Sequence, residues 1–174
     1  MLKIKTDSEW LAQLQPDFAN QVAQLMAAIK RRGFDVKIIQ GMRTFAQQDA
    51  LFAQGRSAAG DKVTKARGGQ SFHNYGIAVD FCMRNPVGGS YFPDPHPVWN
   101  VIGEEAEKMG LTWGGRWKTP DRPHVEVKMP LNKIQSLYQT GGMAKVWETV
   151  AALYQPKAAP AVADLDKSSR ALDT

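Results

Sequence analysis

Ser71-Phe72-His73-Asn74-Tyr75-Gly76-Ile77-Ala78-Val79-Asp80 and, further along the chain, Asp121-Arg122-Pro123-His124-Val125-Glu126-Val127 each run from polar, turn-forming residues into an alternating β-rich segment. Successive side chains of a strand point to opposite faces of a sheet. A short strand over Ile77 to Phe81 therefore turns Ile77, Val79 and Phe81 one way and Ala78 and Asp80 the other. A further strand over Val125 to Met129 is ended by Pro130, which a central strand does not accept. It turns Val125, Val127 and Met129 one way, and His124, Glu126 and Lys128 the other. If both strands lie in one sheet with their apolar residues toward a shared core, Asp80 and His124 project from the same opposite face. Small Ala78 leaves room beside Asp80 for a bound ion or substrate.

His73 precedes Asp80 at a spacing that suits neither regular element: about 10 Å along a helix axis, or opposite faces of a strand. A loop that folds back solves this, and Asn74-Tyr75-Gly76 supplies turn-forming residues at the right place. His73, Asp80 and His124 then offer two imidazole nitrogens and one carboxylate oxygen. That is the ligand set of a catalytic zinc site with an open fourth position. The same set also suits the facial triad of non-haem iron oxygenases, although the close His and Asp spacing usual there is absent. Taken singly, a histidine is more often a structural or surface residue than a ligand; here parity, turn chemistry and ligand set agree.

The chain has one Cys and three His, which leaves few alternatives. Cys82 alone excludes an intramolecular disulfide and a cysteine-only metal cluster. It shares the parity of Asp80 if the strand continues, but a free Cys is commonly a small buried hydrophobe. His96, between Pro95 and Pro97, has no partner pattern and reads as structural.

Outward from these stretches, residues 16–32 place Phe18, Val22, Leu25, Met26 and Ile29 on one helical face, with Gly33 just past the end. Residues 34–40 alternate as a half-buried strand. Thr44 and Gln47 form a capping box for a second helix that ends at Gly55. Residues 55–70 are glycine-rich and basic, a long loop of the kind that carries function; Arg56, Lys62, Lys65 and Arg67 suit a flap beside an anionic substrate. Residues 85–97 read as a loop, 98–109 as a helix, 111–113 as a strand. Two short helices follow, about 131–139 and 143–154, hinged at Gly141-Gly142. The helices and strands do not alternate as regular βαβ units, so the fold class is α+β: a small, mostly antiparallel sheet with helices packed around it. Residues 1–154 form a single domain, and residues 155–174, rich in Ala, Pro, Asp, Lys and Ser, form a flexible C-terminal tail.

The 174 residues carry 22 Lys and Arg against 17 Asp and Glu, a net charge of +5. That charge suits a polyanion, whether nucleic acid, anionic lipid or an acidic wall polymer, without naming one. No stretch approaches the ~20 apolar residues of a membrane span, and the start of the chain has no apolar signal core before Asp7 and Glu9. Synthesis in the cytoplasm without a signal peptide is the expectation.

The stretches Gly55 to Phe81 and Trp113 to Val127, with the motifs SxHxxGxAxD and DxPH, resemble the zinc-dependent L-alanyl-D-glutamate endopeptidases of phage endolysin type. These sit in the wider family of D-alanyl-D-alanine carboxypeptidases and dipeptidases, and the resemblance runs from about Gly41 to Val127. It implies a Hedgehog/D-Ala-D-Ala-peptidase-like fold, zinc on His73, Asp80 and His124, and Asp121 as general base and acid. Pro123 keeps the chain extended or turning there, so the Asp121 carboxylate can fold over the metal. Glu126, on the same face as His124, is the rival base or a carboxylate orienting the imidazole. Arg43 resembles the family's arginine at the substrate carbonyl or carboxylate, and Ser71 its substrate-contacting serine. Trp113 and Trp117, flanking Gly114-Gly115, suit the wall of a substrate groove. The function implied is hydrolysis of peptidoglycan stem peptides at the L-alanyl-D-glutamate bond, leading to cell-wall lysis. D-alanyl-D-alanine carboxypeptidase activity and a non-catalytic metal-containing wall-binding module are the alternatives. The expected partner is bacterial peptidoglycan, not nucleic acid. The expected enzyme is a monomer, phage- or prophage-encoded, that acts on the wall after release from the cytoplasm.

Overall fold

The computed structural model describes residues 5–84 and 90–155. Its frame is a five-stranded antiparallel sheet with β1 (Val36–Gln40), β2 (Ala78–Arg84), β5 (His124–Val127) and β4 (Leu111–Trp113) side by side, and β3 (Ser90–Tyr91) on the far end of β2. The α+β reading therefore holds.

The register explains how the sheet separates core from site. Val79 pairs with Val125, and Trp113 with Val125 on its other side, while Ala78 pairs with Glu126 and Asp80 with His124. Residues directly opposite one another share a face. Val79, Phe81, Val125, Val127, Leu111 and Trp113 are all buried in one core. Glu126, His124 and Asp80 occupy the reverse face, as their parity predicts.

Helices cover the core face. In α2 (Pro16–Arg31), Pro16 sits at the first helical position, and the buried Gln15 side chain accepts the Phe18 N–H. Phe18, Val22, Leu25 and Ile29 are fully buried along its inner stripe. α4 (Val98–Lys108) contributes Val98, Val101, Ile102 and Ala106 and packs against both α2 and β4. The His96 ring nitrogen accepts the Val98 N–H, which gives that histidine a structural role at the start of α4. α5 (Leu131–Tyr154) bends at Gly142, whose φ of 64° and ψ of −161° are non-helical, where the Gly141-Gly142 pair predicts a hinge.

Three elements differ from the expectation. α1 (Asp7–Leu11) is a five-residue helix with a complete Thr6/Glu9 capping box; too short to show periodicity, it is signalled only by that cap. β3 pairs Ser90 and Tyr91 with Arg84 and Met83 inside what reads as a loop; residues 85–89 lie outside the described residues. The segment 55–70 is tied to α3 (Phe45–Ala53): Arg56 and Arg67 lie over the Phe52 ring, and the Gly68 N–H donates to Asp49. Two of its four basic residues are thus engaged on the protein's own surface. The expected tail lies outside the described residues from 156 onward.

Candidate active site

The reverse face of β2 and β5 carries the candidate site. His73 sits in a 3-10 turn, Phe72–Tyr75, that ends in Gly76 at φ 65°, a left-handed conformation glycine adopts without a Cβ penalty. The turn swings His73 back over Asp80, so that His73 Nε2 lies 3.3 Å and His124 Nδ1 3.0 Å from the same Asp80 oxygen. One ligand atom from each of the three residues falls within 4.8 Å of the others.

The far side of each imidazole is held. His73 Nδ1–H donates to the Gly41 carbonyl at 2.8 Å, and that bond turns Nε2 toward Asp80. His124 Nε2–H donates to Glu126 Oε2 at 2.9 Å and turns Nδ1 inward. Both rings are buried, at 4% and 6% exposure. Two buried nitrogens and a carboxylate oxygen converge, each imidazole backed by an acceptor, which is the first- and outer-sphere arrangement that zinc takes.

The clustered groups shift one another's protonation. Burial works to raise the Asp80 pKa, but the facing imidazoles hold it well below the usual carboxylate range. Burial works to lower the His124 pKa, but hydrogen bonds to Asp80 and Glu126 push it up to about 10.

Asp121 stands at the mouth of the site. Its backbone N–H donates to the Gly114 carbonyl, and its own carbonyl accepts the His124 N–H, so the turn leading into β5 is pinned. Lost solvation and the negative charge of Asp80 raise its pKa, while the two histidines pull the other way. Gly114 makes this packing possible: a Cβ there would lie 2.6 Å from the Asp121 carbonyl oxygen.

Arg43 lies on the other flank, where burial lowers its pKa and the Asp80 charge favours the cation. Its guanidinium donates to Gln48 Oε1 at 2.6 Å, and Gln48, fully buried, donates in turn to the Ala66 carbonyl. Buried Asn74 donates to the Arg43 carbonyl and accepts the Gly69 N–H. The Arg43 N–H donates to the His73 carbonyl, so His73 and Arg43 are held as one unit. Ser71 immediately precedes the 3-10 turn, partly exposed, and its hydroxyl caps nothing.

The two tryptophans separate. Trp117 is 39% exposed, with its ring centroid 5.1 Å from that of His124. Trp113 is 4% exposed, lies in the core beneath Gly103, and donates its indole N–H to the Arg122 carbonyl. Its pairing with Val125 puts it on the core face, so the expectation that Trp113 walls the groove is corrected. Cys82 is buried. Sequence reasoning missed Gln48, Asn74 and the Gly41 carbonyl. Gln48 and Asn74 act through distant backbone partners, and a carbonyl carries no residue signature.

The comparisons with known proteins agree with this geometry. A family model described as D-alanyl-D-alanine carboxypeptidase matches residues 64–127, which include His73, Asp80, Asp121 and His124. The chain is 38% identical over 124 residues to the peptidoglycan L-alanyl-D-glutamate endopeptidase CwlK of Bacillus subtilis (strain 168), covering 67% of this chain and 74% of that one. Among solved structures, the LdcB LD-carboxypeptidase superposes with a TM-score of 0.52 at 18% identity, covering 76% of this chain and 67% of that one. The vancomycin resistance D,D-dipeptidase VanXYg superposes at 0.51 and 16% identity, covering 78% and 59%. At those identities the two structures establish a shared fold.

Proposed function

The chain belongs to the D-alanyl-D-alanine carboxypeptidase family of metallopeptidases, alongside the L-alanyl-D-glutamate endopeptidases, and on that premise we propose that it hydrolyses peptidoglycan stem peptides between L-alanine and D-glutamate. The observation that carries the reading is the convergence of His73, Asp80 and His124 beside a carboxylate, Asp121, that makes no side-chain pairing of its own among the hydrogen bonds and ion pairs of the site.

In this reading His73, Asp80 and His124 hold zinc. When bound, zinc polarises the substrate carbonyl and makes water a nucleophile near neutral pH. Asp121 takes the proton of the attacking water and returns it to the leaving amine, as a general base and then acid. Arg43, fixed by Gln48, meets the negative charge that develops on the carbonyl oxygen. Glu126 holds the His124 ring and is not the base, because its carboxylate is engaged by Nε2 on the far side of the imidazole. Trp117 and Ser71 contact the substrate.

Residues 1–154 act as one catalytic domain, and the +5 charge favours approach to an anionic wall. Among the described residues no helix is long and apolar enough to cross a membrane. The enzyme works as a monomer and meets peptidoglycan after release from the cytoplasm, as a phage- or prophage-encoded lytic enzyme does. The test is digestion of purified murein: the protein releases new amino termini, a chelator stops the release, and added zinc restores it. Binding to murein without new termini, with or without zinc, rules out the peptidase and favours a wall-binding module.

A further inference from the structure

A groove of about 510 Å³ opens between α1, the end of β1 and α3, within the ~300–1,000 Å³ range of small-ligand sites. Gln40 in its wall is the strand partner of Asp80, and Trp10 in its floor packs on Gly41, whose carbonyl holds His73. Arg43 and Lys5 both line it. The Lys5 ammonium lies 4.1 Å from the centroid of the Trp10 ring and 2.8 Å from Gln13 Oε1. Further amides, Gln13 and Gln47, line the space, and no carboxylate does among the described residues. An amide-lined groove with a lysine and an arginine in its lining, and no carboxylate there among the described residues, matches a short peptide that carries carboxylates.

We propose that this groove holds the D-glutamate side of the stem peptide, with a carboxylate at Lys5, so that the enzyme prefers stems with free carboxylates to stems whose carboxylates are amidated. The assignment rests on the peptidase reading above. The side of the scissile bond follows from chemistry: the L-alanine side leads to a neutral amide, whereas D-glutamate and the peptide terminus bear the carboxylates. Lys5 is then a specificity-determining residue that touches substrate remote from the reacting atoms.

The test compares two peptides with the zinc-loaded enzyme: N-acetyl-L-Ala-γ-D-Glu-L-Lys-D-Ala, and the same peptide with D-isoglutamine and a C-terminal amide. The free-acid peptide should show a KM about two- to fivefold lower, the size of one exposed ion pair, with kcat alike. Lys5→Ala should erase that difference by raising KM for the free acid alone, and Lys5→Arg should keep it. Calorimetry of the released γ-D-Glu-L-Lys-D-Ala should show weaker binding to Lys5→Ala, with the gap closing at high salt. Equal KM values for both peptides, unchanged in Lys5→Ala, would overturn the groove assignment while cleavage itself upholds the peptidase. Cleavage of neither peptide would overturn the peptidase reading, and the calorimetric comparison would then decide the groove by itself.

Discussion

Asp80 and His124 are directly opposed across the β2–β5 ladder, and their side chains meet at 3.0 Å on the face turned away from the core. One register fixes both, so two of the three candidate ligands are placed by the sheet itself and the third by a four-residue turn. Substituting any of the three removes a donor from a three-ligand site. His73→Ala and His124→Ala should each yield folded protein without zinc by native mass spectrometry; a stoichiometric metal content in either variant would refute the ligand set.

Asp121 and Glu126 have opposite roles and should fail in opposite ways. Asp121→Ala should keep its zinc and lose about 10²–10⁴-fold in kcat, the usual worth of a general base. Glu126→Gln should weaken zinc binding by about 10–100-fold, as loss of a ligand's hydrogen-bond partner does, and recover activity when zinc is in excess. Metal affinity and kcat measured on both variants check this; the reverse pattern would make Glu126 the base.

Zinc binding should expel a proton. The folded, metal-free protein holds the His124 proton up to about pH 10, above the ordinary value of 6.5, because Asp80 and Glu126 both accept from the ring against the opposing effect of burial. That proton stabilises the metal-free fold fully below about pH 6.5, and its contribution fades as pH rises through about 10. A zinc-bound imidazole must be unprotonated, so at about pH 7 roughly one proton should leave per zinc bound, and apparent affinity should climb with pH. Calorimetric titrations in buffers of different ionisation enthalpy count that proton. Zinc uptake without proton release would contradict the arrangement.

Gly114 tests the Asp121 turn without replacing a functional side chain. A methyl group there meets the Asp121 carbonyl oxygen at 2.6 Å and the Asp121 and His124 Cβ atoms at 3.2 Å, so the backbone must give. Gly114→Ala should cost about 1–3 kcal/mol by thermal or urea denaturation, typical of overpacking, and lower kcat. Unchanged stability and activity would show the turn to be more yielding than this packing implies.

Much of this site is legible in the sequence because strand parity is local. Val79 and Val125 announce the core face, and Asp80 and His124 follow on the other. Thr44 with Gln47 and the Gly141-Gly142 pair are likewise local signals, and both appear where their chemistry predicts. Trp113 misleads because a three-residue strand beside two glycines shows no alternation; only its pairing with Val125 reveals which way it faces. Gln48, itself tied to the Ala66 carbonyl, accepts from the Arg43 guanidinium, and Asn74 donates to the distant Arg43 carbonyl, contacts that arise only once the chain is folded. Thr6 and Glu9 do spell a capping box, yet the helix they start is too short to show a hydrophobic period, so the support α1 lends to Gly41 stays hidden.

The central claim is the bond that is cut. Zinc-loaded protein incubated with a murein stem tetrapeptide, with products identified by mass spectrometry, should give a new L-alanine carboxyl terminus and a new D-glutamate amino terminus in equal amounts. Release of terminal D-alanine with the L-alanyl-D-glutamate bond intact would contradict the account and make the enzyme a carboxypeptidase of the same family.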